Sequence, residues 1–109
     1  MSLLPNQGDI IWLDFTPQSG HEQKGRRPAI VVSNGFYNQH TGLTLVCPVT
    51  SSKRNYPLHV EMNGCRLVSG SIMVEQVRAV DYTARNAEFI EKAPKELLNE
   101  VLSRLYACL

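Results

Sequence analysis

Apolar residues along this chain recur first with a period of two and then with a period near 3.6, and the change comes at Pro94. In residues 10–15, Ile11, Leu13 and Phe15 share one face and Ile10, Trp12 and Asp14 the other, which predicts a strand. Residues 29–32 form a continuous apolar run, as expected of a strand covered on both sides. Residues 34–42 are rich in turn formers and predict a loop with one helical turn, and residues 43–49 predict a third strand. Leu58, Val60 and Met62 then alternate with His59 and Glu61 in a half-exposed fourth strand. After a connection over 64–70, residues 71–80 predict one long strand or two in line, and 88–91 a short edge strand. Pro94 suits the first position of a helix, on which Leu97, Leu98, Val101, Leu102, Leu105 and Tyr106 fall on one face. Strands followed by one packed helix predict a single β-rich α+β domain spanning 1–109, a small barrel with helical additions.

Two polar segments interrupt this pattern. Residues 16–27 contain no apolar side chain other than Pro17, and they concentrate His21, Glu22, Lys24, Arg26 and Arg27 just before Pro28. Connections in small domains usually need about 4–6 residues, and longer ones tend to carry function. An imidazole, a carboxylate and two guanidiniums add little to a core, but they suit a phosphate-bearing polymer. The second segment runs from Thr50 through Ser51, Ser52, Lys53 and Arg54 to Tyr56.

Composition narrows the field. The chain has 109 residues, 43% hydrophobic and 19% charged, which fits a folded domain small enough to gain from burying surface in an oligomer. Net charge is only +1, so nucleic acid would have to meet a local patch and not a basic face. Cys47, Cys65 and Cys108 show no metal-binding spacing, and His21, His40 and His59 are dispersed. Reduced thiols, no signal-peptide pattern and no long apolar run predict a soluble cytoplasmic protein that uses no metal or other cofactor and meets no membrane.

Residues 8–15, the element Gly20-His-Glu-Gln-Lys-Gly-Arg-Arg-Pro28, Val31-Val-Ser33, Pro48-Val-Thr50, Glu75-Gln-Val-Arg78, Asp81 and Arg85 occur in one order along nearly the whole chain. Together they resemble the MazF/PemK family of ribosome-independent mRNA endonuclease toxins. The resemblance implies an SH3-like barrel, a homodimer, single-stranded RNA as substrate and a cognate antitoxin with an acidic, partly disordered segment. It also implies metal-free cleavage to a 2′,3′-cyclic phosphate and a 5′-hydroxyl. Gyrase-poison toxins share that fold but lack the Gly-x-Glu-x-x-Gly-x-Arg-Pro element. A barrel that only binds protein would favour an aromatic cluster, which the sequence does not show.

Cleavage by the RNA's own 2′-hydroxyl needs a base, a cation for the phosphorane charge and an acid for the leaving 5′-oxygen. The resemblance carries an essential arginine onto Arg27. Charge stabilisation is its natural role, since a guanidinium hardly ever releases its proton. Arg26 and Lys24 suit RNA-backbone contact or a solvated surface. Glu22 and His21 both match family positions, and the residues leave open which one takes the 2′-proton. Thr50 matches a substrate-contacting or catalytic threonine, although a turn-initiating hydroxyl also explains it. Ser51, Ser52, Lys53 and Arg54 suit RNA-backbone contact or a solvated loop, Glu75, Gln76 and Arg78 complete the expected RNA contacts, and for Arg78 and Arg85 pairing with Asp81 is the preferred structural reading. One departure stands out. PemK-like enzymes pair an Asp with an Arg two residues earlier, but here those positions hold Glu75 and Met73, so that pair cannot be carried over.

Overall fold

The computed structural model describes residues 4–15, 25–52 and 56–109. His21, Glu22, Lys24, Lys53 and Arg54 lie outside them. The alternating segment near the N-terminus forms β1 (Asp9–Asp14), which pairs antiparallel with β2 (Arg26–Val31) in the register Ile11↔Ala29 and Leu13↔Arg27. Next along the chain come α1 (Gly35–Thr41), β3 (Leu43–Thr50), β4 (His59–Glu61) and β5 (Ser71–Met73). A 3₁₀ turn (Val74–Gln76), β6 (Arg78–Asp81), β7 (Glu88–Lys92) and α2 (Lys95–Tyr106) follow. The sheet runs β4-β5-β3-β2-β1-β7, with β6 also paired to β3. Every strand pair among the described residues is antiparallel. The ladder does not close among the described residues, so the expected barrel is an open curled sheet with a C-terminal helix.

Strand alternation divides the core in two. Ile10, Ile30, Cys47, Val49, Val60 and Ile72 turn to one side of the sheet, where Leu97 and Val101 of α2 cover them. Ile11, Leu13, Ala29, Val31, Val46 and Val80 form the second cluster, with Phe15 and Ala87 packed against it. The continuous run in β2 is thus explained, because its neighbouring residues enter opposite clusters. Fully burying each such aliphatic side chain contributes roughly 1.5–3 kcal/mol, so the two clusters dominate the stability of the fold.

Three local expectations change. Where one helical turn was predicted after Ser33, α1 has seven residues. The Asn34 side chain caps it by accepting from the Tyr37 amide, and Gly42 closes it in the left-handed region (φ 74°). Pro94 sits one position before the helix and not at its first residue. Its ψ of 148° is extended, while its carbonyl accepts the first helical bond from the Leu98 amide. Tyr106, assigned to the apolar stripe, is 66% exposed at the end of α2.

The long segment 71–80 is two strands in line on one edge of β3, but with a step between them. β5 pairs as Val49↔Ile72 and Thr50↔Ser71, whereas β6 pairs as Leu43↔Asp81 and Val46↔Arg78. The paired numbers sum to 121 in the first ladder and to 124 in the second, so three residues are inserted, matching the length of the 3₁₀ turn.

Cys47 is buried beneath this edge. Burial first, and the nearby Glu75 carboxylate second, push its thiol up to about 12. It therefore stays protonated and unreactive at neutral pH. Native protein treated with iodoacetamide at pH 8 should label the exposed Cys108 and leave Cys47 unmodified until the chain is denatured. Labelling of both at equal rates would show that the β3 edge opens readily.

Candidate active site

The polar segment after β1 is clamped at its base. The Phe15 amide donates to the Gly25 carbonyl (3.0 Å), the Asp14 amide donates to the Arg85 carbonyl (2.9 Å), and Arg85 Nη1 donates to the carbonyls of Asp14 and Phe15 (3.1 and 2.8 Å). Arg85 thus holds backbone, and the ion pair expected with Asp81 is not its role. The Asp81 carboxylate instead accepts from the Thr83 and Ala84 amides. Nor does Arg78 turn to Asp81: its guanidinium lies 5.4 Å from the centre of the Phe15 ring, a cation–π contact at the mouth of the same segment.

The two neighbouring arginines on β2 take opposite sides of the sheet. Arg26 donates to Asp14 (2.9 Å), to Glu88 (2.8 Å) and to the Asn86 carbonyl (2.8 Å). Hydrogen bonds from Asn86 and then Arg26 hold the Asp14 carboxyl below its ordinary 3.8. This stabilisation is present above that value and is lost as pH falls through the lowered one. The Arg26 charge is committed to protein carboxylates.

Arg27 has no hydrogen-bond or ion-pair partner among the described residues, and it is exposed. It leaves β2 on the side of Leu13, its register partner, and of Ala29. Ala29 pairs with Pro48 across β2 and β3. Arg27 lies two residues before Ala29 on β2 and Thr50 two residues after Pro48 at the end of β3, both beyond the last paired residues of that ladder. The Thr50 hydroxyl accepts from the Ser52 amide (3.2 Å), so it also has the turn-forming role the sequence allowed. Ser51 and Ser52 are exposed beside it.

Thr50 also borders a cleft of about 360 Å³, lined by Thr50, Ser52, Tyr56, His59, Met73, Glu75 and Gln76. The 3₁₀ turn supplies Glu75 and Gln76, and β4 supplies His59, the register partner of Met73. His59 Nε2 lies 3.1 Å from Glu75 Oε2. The structure therefore brings together Thr50, Ser52, Tyr56, Glu75 and Gln76 in one cleft, which Arg27 does not line, and it adds His59, which the sequence had not assigned to the site. Alternation along β4 had already turned His59 to the Glu61 side. What sequence could not supply was the pairing of β4 with β5, which sets His59 against Met73.

The sequence and the overall fold match known proteins. Residues 6–109 fit the model of the PemK-like, MazF-like toxins of type II toxin–antitoxin systems. The chain is 42% identical over 109 residues to the endoribonuclease toxin ChpB of Escherichia coli K12, covering 93% of this chain and 90% of that one. It is 40% identical over 84 residues to the endoribonuclease toxin MazF of the same strain, covering 77% and 75% respectively. The crystal structure of a MazE–MazF complex from Deinococcus radiodurans superposes with a TM-score of 0.90 at 43% identity, covering 98% of this chain and 96% of that one. The chain belongs to the PemK-like, MazF-like toxin family, whose named relatives here are endoribonucleases.

Proposed function

We infer that this endoribonuclease toxin cleaves single-stranded mRNA by attack of the 2′-hydroxyl on the adjacent phosphorus, without a metal ion. The observation that carries the reading is Arg27, an exposed cation whose side chain has no protein partner among the described residues, on the strand that pairs with β3, which ends at Thr50. In the reaction the 2′-proton passes to a base, the O2′–P bond forms as the P–O5′ bond breaks, and the leaving 5′-oxygen takes up a proton, giving a 2′,3′-cyclic phosphate and a 5′-hydroxyl. The Arg27 guanidinium meets the negative charge that grows on the non-bridging oxygens, and Thr50 supplies a hydroxyl beside it. His21 and Glu22 remain the bases that the sequence offers for the 2′-proton. Incubation of the purified protein with single-stranded RNA in excess EDTA should give cyclic-phosphate ends. Cleavage only after a divalent ion is added back would overturn the metal-free route.

The toxin acts as a cytoplasmic homodimer in this reading, since a small chain exposing Phe36, Leu67 and Phe89 gains from covering apolar surface. Its antitoxin covers the RNA groove with an acidic segment whose carboxylates stand in for phosphates at Arg27 and its neighbouring loops. An acidic antitoxin peptide should therefore bind tightly at low salt, weaken as salt rises and displace a non-cleavable RNA. A ternary complex with both fully bound would place the inhibitor elsewhere.

A further inference from the structure

The cleft beside Thr50 holds a feature that cleavage chemistry does not use. The His59 side chain is 8% exposed, while that of its partner Glu75 is 29% exposed. The imidazole thus stands behind the carboxylate, which faces the opening. His59 is itself held by the Tyr56 ring, whose centre lies 4.8 Å away in an edge-on arrangement, and Tyr56 is 48% exposed. His59 Nδ1 is buried without a hydrogen-bond partner among the described residues, so the bond to Glu75 is the polar contact that orients the ring. Gln76 lines the cleft next to Glu75, and so does Thr50, which the reading above sets beside the scissile phosphate.

A carboxylate at this point repels phosphate oxygens and accepts N–H donors. An open aromatic ring offers a face for stacking. Those are the two elements by which proteins read an unstacked base in single-stranded RNA. We propose that the cleft is a nucleobase subsite next to the scissile phosphate, in which Glu75 reads an exocyclic amino group and His59 positions Glu75. With one carboxylate oxygen engaged by His59 Nε2, the other is left to accept from the base. Gln76 offers an amide donor and acceptor to the adjoining edge. Adenine, cytosine and guanine each present an amino group that this arrangement can take. Uracil flanks its single N–H with two carbonyl oxygens, which the carboxylate disfavours. The subsite thus sets part of the cleavage motif, and it rests on the endoribonuclease reading above.

The test is cleavage of short single-stranded RNAs in which each position around the cut is varied through all four bases, with kcat and KM measured separately. The wild-type protein should disfavour uracil at one position by about tenfold or more, the size of one lost hydrogen bond to a charged acceptor. Glu75→Gln and His59→Ala should bring that discrimination to within about threefold, and on the preferred substrate the loss should fall more on KM than on kcat, because the lost contact is one of recognition. His59→Gln, which keeps an N–H donor, should restore most of the discrimination lost in His59→Ala. Thermal unfolding identifies any variant that has not folded, and His59→Gln then carries the comparison. Unchanged base preference in folded variants would overturn the proposal. So would an equal fall in kcat on every substrate, since that pattern belongs to proton transfer. No cleavage of any RNA by the wild-type protein would instead sink the endoribonuclease reading.

Discussion

Arg27→Ala should reduce RNA cleavage about 10²–10³-fold, the typical loss when one preorganised charge-stabilising donor is removed, and leave the fold intact. The activity loss follows from the absence of a replacement among the described residues. Arg26, one position away, points to the other side of the sheet and is held by Asp14 and Glu88. Stability should barely change, because the Arg27 side chain is exposed and its removal breaks no ion pair among the described residues. Loss should fall mainly on kcat if the guanidinium meets charge that exists only in the transition state. Arg27→Lys should recover part of the rate by restoring the charge without the planar fork. A folded Arg27→Ala protein that cuts at the wild-type rate would remove the central assignment.

Gly70→Ala should be the most damaging substitution to the fold near the site. A Cβ at Gly70 would stand 2.2 Å from the Thr50 carbonyl oxygen and 3.1 Å from its carbonyl carbon, both backbone atoms that cannot swing aside. The residue also has a φ of +121°, which L side chains rarely adopt. Strain of that kind costs about 1–3 kcal/mol, and relieving the clash adds a cost of about the same size. One kcal/mol moves the midpoint of a domain this size by roughly 4–8 °C. The expected result is a fall in Tm of about 10 °C or more together with loss of cleavage, since any relaxation displaces Thr50. Gly25→Ala serves as the control: no described residue lies within 4 Å of a Cβ there, and it should melt close to wild type. If both variants melt alike, Gly70 does not abut Thr50 in solution.

Most strands were legible because burial imposes a period on the sequence. The apolar run at 29–32 announced a strand covered on both sides, and Ile30 and Val31 do enter separate clusters. The polar loop stood out for the converse reason, since Arg27 contributes to neither cluster. Pairing across distant strands was not legible. Nothing at position 59 announces Met73 as its neighbour, and nothing in 71–80 marks where a strand breaks into a 3₁₀ turn. Those features depend on how separate segments align along β3. Arg85 shows the same limit: a nearby opposite charge suggested Asp81, but the fold gave it the carbonyls at the end of β1, seventy residues away.

The three-residue step between β5 and β6 separates two duties that a plain strand would have to combine. Val74 points inward at 1% exposure, while the adjacent Glu75 and Gln76 are exposed. Because the step lies outside the ladder, substitutions at 75 and 76 leave the pairing of Val49 with Ile72 and of Val46 with Arg78 untouched. In the proposed base subsite these two side chains sit on an otherwise fixed chassis, so a designer seeking a new cutting preference has positions 75 and 76 to vary first.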